Sequence, residues 1–268
     1  MKKSVLFFVI AGLTAMSAFG QKKETRSVSG FTGIDASCVF DITVTKGSTE
    51  SLTIEADEEL LPYVRSEVKN GVLCLCVEND ACKNARNIRT LKASVVVKNL
   101  DRVSLSGACK LTANDLFTPD SFTGKCSGAS NMTVNVNTGR LKIETSGAGK
   151  IQLKADVTEN AQLSFSGSAN AQMELKAGNV KIESSGSSSF DLAGSTKDFN
   201  VKTSGASKIK AEDFTAKNAK INSSGSSNVT IAVTDALNVS SSGSSSVSYK
   251  GTPTVKISSS GSSKIISN

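Results

Sequence analysis

The sequence contains no histidine and no tryptophan, and only 5% of its residues are aromatic. Without histidine, a serine–histidine–aspartate triad is excluded, and a zinc site would need cysteine or carboxylate ligands. The scarcity of aromatic rings leaves few platforms for stacking on sugars or single-stranded nucleic acid. The acidic side chains of the regular part are scattered, whereas glycoside hydrolysis needs a pair of carboxylates. Composition therefore favours a protein without catalytic residues, metal or cofactor.

What the sequence has instead is a Ser-Gly dipeptide that occurs nine times between residues 106 and 261, with successive glycines 18 to 21 positions apart. A near-constant period of this length is typical of repeat proteins, in which each unit buries its apolar face by stacking on its neighbours. The repeated glycines are Gly107, Gly128, Gly147, Gly167, Gly186, Gly205, Gly225, Gly243 and Gly261.

Apolar and polar residues alternate on both sides of each glycine. The residue four places after it is apolar in all nine repeats, as in Leu111, Phe190 and Ile209. A period of two predicts short strands whose even positions face inward, and glycine tolerates the positive φ of a tight corner. The sequence therefore predicts an all-β fold, a β-solenoid with coils of about 19 residues.

The inward positions beside each corner mostly carry small residues, above all serine and threonine, with Leu105 and Phe165 as exceptions. A narrow corner favours such small side chains. Because buried hydroxyl groups need partners, we expect them to bond the backbone or the hydroxyl group of the next coil.

The chain begins with features of a secretory signal peptide, predicted at residues 1–20. Lys2 and Lys3 are followed by an apolar stretch and by the small residues Ala18 and Gly20. No cysteine lies at the cleavage point, which argues against a lipid anchor, and no later apolar run is long enough to cross a bilayer. We expect an exported protein, at the cell surface, outside the cell or in the periplasm.

Removing Lys2 and Lys3 leaves 29 basic and 24 acidic residues, a net charge of +5. The excess is spread along the sequence rather than clustered, which argues against a nucleic-acid partner. A mild attraction to anionic polysaccharide or to a cell surface stays open.

Six cysteines occur, and disulfides are permitted in an exported protein. Cys74 and Cys76 share one strand face, so they cannot easily bond each other. Cys109 and Cys126 take inward corner positions. Free thiols and disulfides both remain open, and six cysteines allow fifteen pairings. The cysteines are Cys38, Cys74, Cys76, Cys82, Cys109 and Cys126.

The organisation predicted from these patterns has two parts after the signal peptide. Residues 21–100 form an irregular β-rich cap, and residues 101–268 form a regular solenoid of about nine Ser-Gly coils. Asn70-Gly71 is a turn signal, and residues 57–64 indicate a helical turn or a loop. Residues 83–89 indicate a loop. Predicted strands in the cap lie at residues 39–44, 52–54, 72–77 and 91–97.

At the carboxyl end, only two residues follow Ile266 in the last repeat. Its final strand is either tolerated as an open edge or covered by another chain, so self-association through the C-terminal coil is a further expectation.

The segment GFTGIDASCVFDITVTKGSTESLTIEADEELLPYVRSEVKNGVLCL, followed by repeated SGxS units, resembles the family of auto-transporter adhesins named for a head GIN domain. The resemblance covers residues 27–268. It implies an exported protein of a type common in Bacteroidetes, with a right-handed β-helix-like fold and an adhesive role without a defined ligand site. Cys38 stands where the repeat pattern would place glycine.

Two sets of outward residues form a candidate binding strip for glycan hydroxyls or acidic sugars. One is the serine immediately before each glycine, and the other is the polar residue three places after it. Serine is also a common turn residue, and polar residues also serve solubility, so both structural explanations stay open. The candidate residues are Ser146, Ser166, Ser185, Ser204, Ser224, Ser242, Lys150, Asn170, Lys208 and Asn228.

Three functional hypotheses follow. The leading one is a non-catalytic, exported binding module, a cell-surface adhesin that contacts glycans or other surfaces through a repetitive polar face. The alternative is a structural scaffold of the periplasm or envelope without a ligand. A more distant alternative is a polysaccharide-active enzyme, because some parallel β-helices have that activity.

Overall fold

The computed structural model describes residues 20–78 and 88–268. Residues 1–19 of the predicted signal peptide, Cys82 and residues 83–87 of the predicted loop lie outside the described residues. The N-terminal strands are β1 (Gln21–Arg26), β2 (Gly33–Ala36), β3 (Asp41–Lys46), β4 (Ser51–Asp57), β5 (Val64–Lys69), β6 (Val72–Val77) and β7 (Leu91–Val97). A single 3-10 helix turn, Leu61–Tyr63, separates β4 from β5.

The later strands include six that are 14 to 18 residues long. These strands are β8 (Arg102–Leu105), β9 (Lys110–Phe117), β10 (Ser121–Gly128), β11 (Asn131–Gly147), β12 (Lys150–Gly167), β13 (Asn170–Gly186), β14 (Ser189–Gly205), β15 (Lys208–Ser223), β16 (Asn228–Ser241), β17 (Ser246–Lys250), β18 (Thr254–Ser259) and β19 (Lys264–Ser267).

Successive coils pair in parallel, with their corner glycines in register. Gly147 lies beside Gly167, and Gly167 beside Gly186. Each of β11 to β16 runs through one coil, and pairing is interrupted near its middle, as between Thr138 and Arg140. This arrangement confirms the predicted β-solenoid of about nine coils with a spacing of about 19 residues.

The interruptions divide the pairing into two sheets. We call the strand segments that follow a corner the downstream sheet and those that lead into the next corner the upstream sheet. The downstream order is β1, β4, β7, β3, β9, the first halves of β11 to β16, β17 and β19. The upstream order is β5, β6, β2, β8, β10, the second halves of β11 to β16, and β18.

Among the described strands, antiparallel pairing is confined to the N-terminal end of both sheets. There β4 pairs antiparallel with β1 and β7, and β5 pairs antiparallel with β6. Asn70 and Gly71 both have positive φ at the turn between β5 and β6, as the sequence predicts. The predicted strands at residues 72–77 and 91–97 coincide with β6 and β7. At this end the downstream sheet therefore ends in the antiparallel strand β1, and the upstream sheet in the antiparallel strand β5.

The core lies between the two sheets and is filled by the inward positions of both. Phe190 and Ile209 are at most 1% exposed, as the alternation predicts. Buried hydroxyl groups mostly find partners in neighbouring coils. Ser184 bonds the hydroxyl group of Ser207 at 2.8 Å, and Thr203 donates to Ser223 at 3.2 Å. Two hydroxyl groups depart from this expectation, since those of Thr145 and Ser241 are buried without a partner among residues 20–78 and 88–268.

Cys38 forms the first corner of the stack. Its φ is +86°, in the left-handed region that the corner glycines occupy. The carbonyl oxygen of Cys38 accepts a 2.8 Å hydrogen bond from Ala108, as the glycine carbonyls do in later coils. The residue that departs from the repeat pattern thus keeps the corner geometry, although a β-carbon in that region is unfavourable.

The described cysteines divide into one that is disulfide-bonded, Cys38, and four free thiols. Cys109 and Cys126 are free and buried, and Cys74 and Cys76 are free and half-buried. Burial raises the pKa of Cys109 to about 11 and that of Cys126 to about 12. These two thiols therefore stay protonated at neutral pH and act as small apolar residues of the corner.

Candidate functional site

A groove with a volume of about 700 Å³ runs along the outer face of the upstream sheet, beside the corners. Its walls come from two outward positions of each coil, one and three residues before the corner glycine. The outward residues that line it are Ser104, Lys125, Ser127, Glu144, Ser146, Ser164, Ser166, Glu183, Ser185, Lys202 and Ser204. Because the coils are in register, these residues repeat about every 4.8 Å along the groove.

The serines of the predicted strip differ in their hydrogen bonding. Ser166 donates to the carbonyl oxygen of Thr145, and Ser224 to that of Thr203, each at 3.2 Å. These two hydroxyl groups connect one coil to the preceding one, as a structural role requires. The remaining four hydroxyl groups form no hydrogen bond within the described part of the chain and are open to a ligand. They belong to Ser146, Ser185, Ser204 and Ser242, and all but that of Ser242 line the groove.

The lysine and asparagine residues of the strip lie on the other side of the corner. Lys150, Asn170, Lys208 and Asn228 begin strands of the downstream sheet, and all four are exposed. Lys208 and Asn228 border a separate depression of about 390 Å³. The structure thus brings three predicted serines together with Ser166 in one groove. It places the predicted lysine and asparagine residues on the opposite side of the corner, on the downstream sheet.

Charged groups inside the groove are partly neutralised by their neighbours. The Glu144 carboxylate lies 2.7 Å from the Lys142 ammonium group and 3.0 Å from that of Lys125. Hydrogen bonds from Lys142 and then Lys125 lower the pKa of Glu144. A general acid for glycoside cleavage needs a raised pKa instead. Glu183 pairs with Lys181 at 3.0 Å. The groove therefore offers hydroxyl groups and charges for binding, but Glu144 is unsuited to donate a proton.

Metal and nucleophile chemistry have little support in this groove. No group of three or more Cys, Asp or Glu side chains could hold a metal ion within residues 20–78 and 88–268. Cys126 lies under the groove, but its raised pKa keeps the thiol protonated and weakly nucleophilic.

One feature of the upstream face was missed by the sequence analysis. Basic residues recur five positions before the corner glycine, at Arg102, Lys142, Lys181, Lys220 and Lys256. The expectation of a spread charge excess came from reading along the sequence, which does not show that residues of alternate coils lie in one column. Tabulating the residue at that fixed offset from each glycine would have revealed it.

Fold and surface together define a class of protein: an all-β parallel solenoid with polar residues in regular ladders on its outer faces. The chain matches the model of the family described as "Putative auto-transporter adhesin, head GIN domain" over residues 30–160 and 157–253. Since these matches cover most of the chain, it belongs to that family. No curated protein matches the sequence.

Solved structures of similar fold come from Parabacteroides. A "putative adhesin" from Parabacteroides distasonis is 19% identical, with a TM-score of 0.72 over 92% of this chain and 97% of that one. A "putative lipid binding protein" from the same species is also 19% identical, with a TM-score of 0.70 over 93% and 97%. A third, a "putative adhesin" from Parabacteroides merdae, is 21% identical, with a TM-score of 0.69 over 92% and 96%. At these identities, the likeness concerns the fold.

The family supports an adhesin-like or binding role and an exported or surface location. Among the described residues, no helix has the length and apolar character required to cross a membrane.

Proposed function

We propose that the protein is a non-catalytic, exported binding module that contacts glycans at the cell surface through the groove and the strip beside it. The observation that carries this proposal is the set of unpartnered serine hydroxyl groups in the groove. Sugar hydroxyl groups both donate and accept hydrogen bonds, as serine hydroxyl groups do. Repetition of the same group about every 4.8 Å allows several weak contacts to add by multivalency.

Replacing Ser146, Ser185 and Ser204 by alanine tests this proposal. We expect glycan binding in an array screen to weaken at least tenfold, because each neutral hydrogen bond contributes roughly 1 kcal/mol, or about fivefold in Kd. The fold should be unaffected, since none of these hydroxyl groups bonds another group in the described part of the protein.

The matched control replaces Ser168, Ser187 and Ser226 by alanine. These are exposed corner serines that follow the glycine and do not line the groove. Equal binding by the two triple variants would show that the groove is not the site.

Protease treatment of intact cells should release peptides of this protein. Full protection until the envelope is broken would favour the structural scaffold.

The scaffold alternative has its own supporting observation at the C-terminal coil. There β18 pairs only with β16, and β19 only with β17, among the described strands. Ile257 is 52% exposed, although Val239, in the same inward position one coil earlier, is 3% exposed. We propose that a second copy of the chain covers this edge, in an isologous contact about a two-fold axis.

Substituting Ile257 by lysine is expected to weaken such a dimer at least tenfold, because a charge would replace apolar surface at the contact. Sedimentation equilibrium measures the dimer dissociation constant. Ser258→Lys is the control, since it adds the same charge on the outward side of β18. A wild-type protein that stays monomeric at the highest concentration measured would refute self-association.

A further inference from the structure

The outer face of the upstream sheet carries a column of alternating basic and neutral side chains. We call it the cation column; it comprises the residues five positions before each corner glycine. In-register pairing places its members side by side on neighbouring strands. In order, they are Arg102, Thr123, Lys142, Gln162, Lys181, Asn200, Lys220, Asn238 and Lys256.

The spacing of the charges follows from the strand spacing. Neighbouring strands lie about 4.8 Å apart, so basic groups on alternate coils are about 9.6 Å apart at their backbones. Every neutral member is a threonine, glutamine or asparagine, which can both donate and accept hydrogen bonds. None of the nine is acidic or apolar. The column is therefore a regular array of five basic residues with hydrogen-bonding groups between them.

A second outward column, three residues before the glycine, adds to this charge. Lys125 and Lys202 belong to it, along with two acids, Glu144 and Glu183. The two columns together hold seven basic and two acidic residues. Both acids are already paired with lysines of the same face.

Four basic residues of the two columns have no ion pair within the described part of the chain, and all four are exposed. They are Arg102, Lys202, Lys220 and Lys256. Their charges are available to a ligand.

The downstream sheet differs in charge. From β9 to β19, its strands carry eight basic residues but also six exposed acids, which are dispersed among them. Basic residues therefore outnumber acidic residues more strongly on the upstream face than on the downstream face. The six acids are Asp115, Asp156, Glu174, Asp191, Glu212 and Asp213.

From this arrangement we infer that the cation column binds a linear acidic polysaccharide with one negative charge per disaccharide, laid along the solenoid axis. The inference rests on the proposed binding role and names its ligand class. A spacing of about 9.6 Å is close to the length of an extended disaccharide, so successive carboxylates would meet successive basic groups. The side chains between them suit sugar hydroxyl groups. The column offers no aromatic ring for stacking on nucleotide bases and no apolar group for insertion into lipid.

The experiment compares two fourfold variants of the full chain. One replaces Lys142, Lys181, Lys220 and Lys256 by glutamine. The control replaces Lys154, Lys176, Lys210 and Lys250 of the downstream sheet by glutamine. In each set, two of the four lysines form an ion pair with a glutamate, so both net charge and lost pairings are matched. The probes are hyaluronan, neutral dextran and single-stranded oligothymidylate.

Wild-type protein should bind hyaluronan at near-physiological salt and release it as salt screens the charges. The cation-column variant should bind at least about fivefold more weakly, because the two unpaired lysines, Lys220 and Lys256, each contribute an exposed ion pair of roughly 0.5 kcal/mol, a factor of about 2.3. The control variant should differ from wild type by less than about threefold.

Three results would overturn the inference: equal losses in both variants, no wild-type binding to hyaluronan, or tighter binding to oligothymidylate than to hyaluronan. The proposed function is tested separately, by the serine variant on neutral glycans. Neutral-glycan binding that depends on Ser146, Ser185 and Ser204, without hyaluronan binding, would therefore refute only the cation column.

Discussion

Replacing Phe190 by aspartate is expected to lower the free energy of unfolding by about 5 kcal/mol or more. Phe190 is fully buried, and the centroid of its ring lies 4.6 Å from the ring centroid of Phe165 in an edge-to-face contact. Loss of a buried phenylalanine side chain alone costs about 3 to 5 kcal/mol. An unpaired carboxylate in the same place adds a desolvation penalty. A change this large is rare for a single substitution and follows from the burial.

Thermal melting followed by circular dichroism measures this effect, and limited proteolysis locates it. Because each coil contacts mainly its neighbours, cleavage should concentrate in the coils beside β14. Asn200→Asp is the control, since it introduces aspartate at an exposed position of the same strand. It should change stability by less than about 0.5 kcal/mol. An unchanged melting curve for the Phe190 variant would contradict the inward assignment.

The second large effect is expected at the corner glycines. A β-carbon on Gly205 would lie 2.5 Å from the carbonyl oxygen of Gly186, and the φ of Gly205 is +99°. We expect Gly205→Ala to destabilise the protein by about 3 kcal/mol. Of this, roughly 1 to 2 kcal/mol comes from the left-handed conformation of alanine, and the rest from the coils being forced apart.

Gly30 provides a control that separates these two causes. Its φ is +75°, but a β-carbon there would meet nothing within 4 Å. Gly30→Ala should therefore show the conformational cost without the clash. Urea unfolding of both variants gives the comparison. If the two alanine variants were equally stable, close stacking of the corners would not be the reason for glycine at position 205.

Residues that depart from the repeat pattern show where the local sequence no longer predicts the packing of the core. Phe165 occupies a corner position that holds small side chains in most other coils. From the sequence, it can be recognised only as an exception to the repeat. In the structure, its ring packs against Phe190 of the next coil, and the inward residues that follow the corner beside Phe165 are the small Ala169 and Ala171. A large side chain fits there because small ones make room, which keeps the packing density of the core.

The state of Cys38 at the first corner and of the serines in the groove also depends on contacts between coils. Nothing in the local sequence of Cys38 shows that it is disulfide-bonded and adopts the left-handed conformation of the corner glycines. Similarly, the alternation places Ser166 and Ser185 at equivalent outward positions. Only Ser166 donates to the carbonyl oxygen of the coil before it, so the free hydroxyl groups could be identified only with the neighbouring backbone in place.

The sequence by itself determined the all-β class, the coil length, the inward and outward sides of the strands and the corner positions. These properties depend on a period of two along a strand and on a spacing of about 19 residues, and both are visible in one dimension. The tertiary structure decided which hydroxyl groups are paired, which thiols are buried and which charges form a column. Those properties depend on residues that are far apart in the sequence and become neighbours only when the coils stack in register.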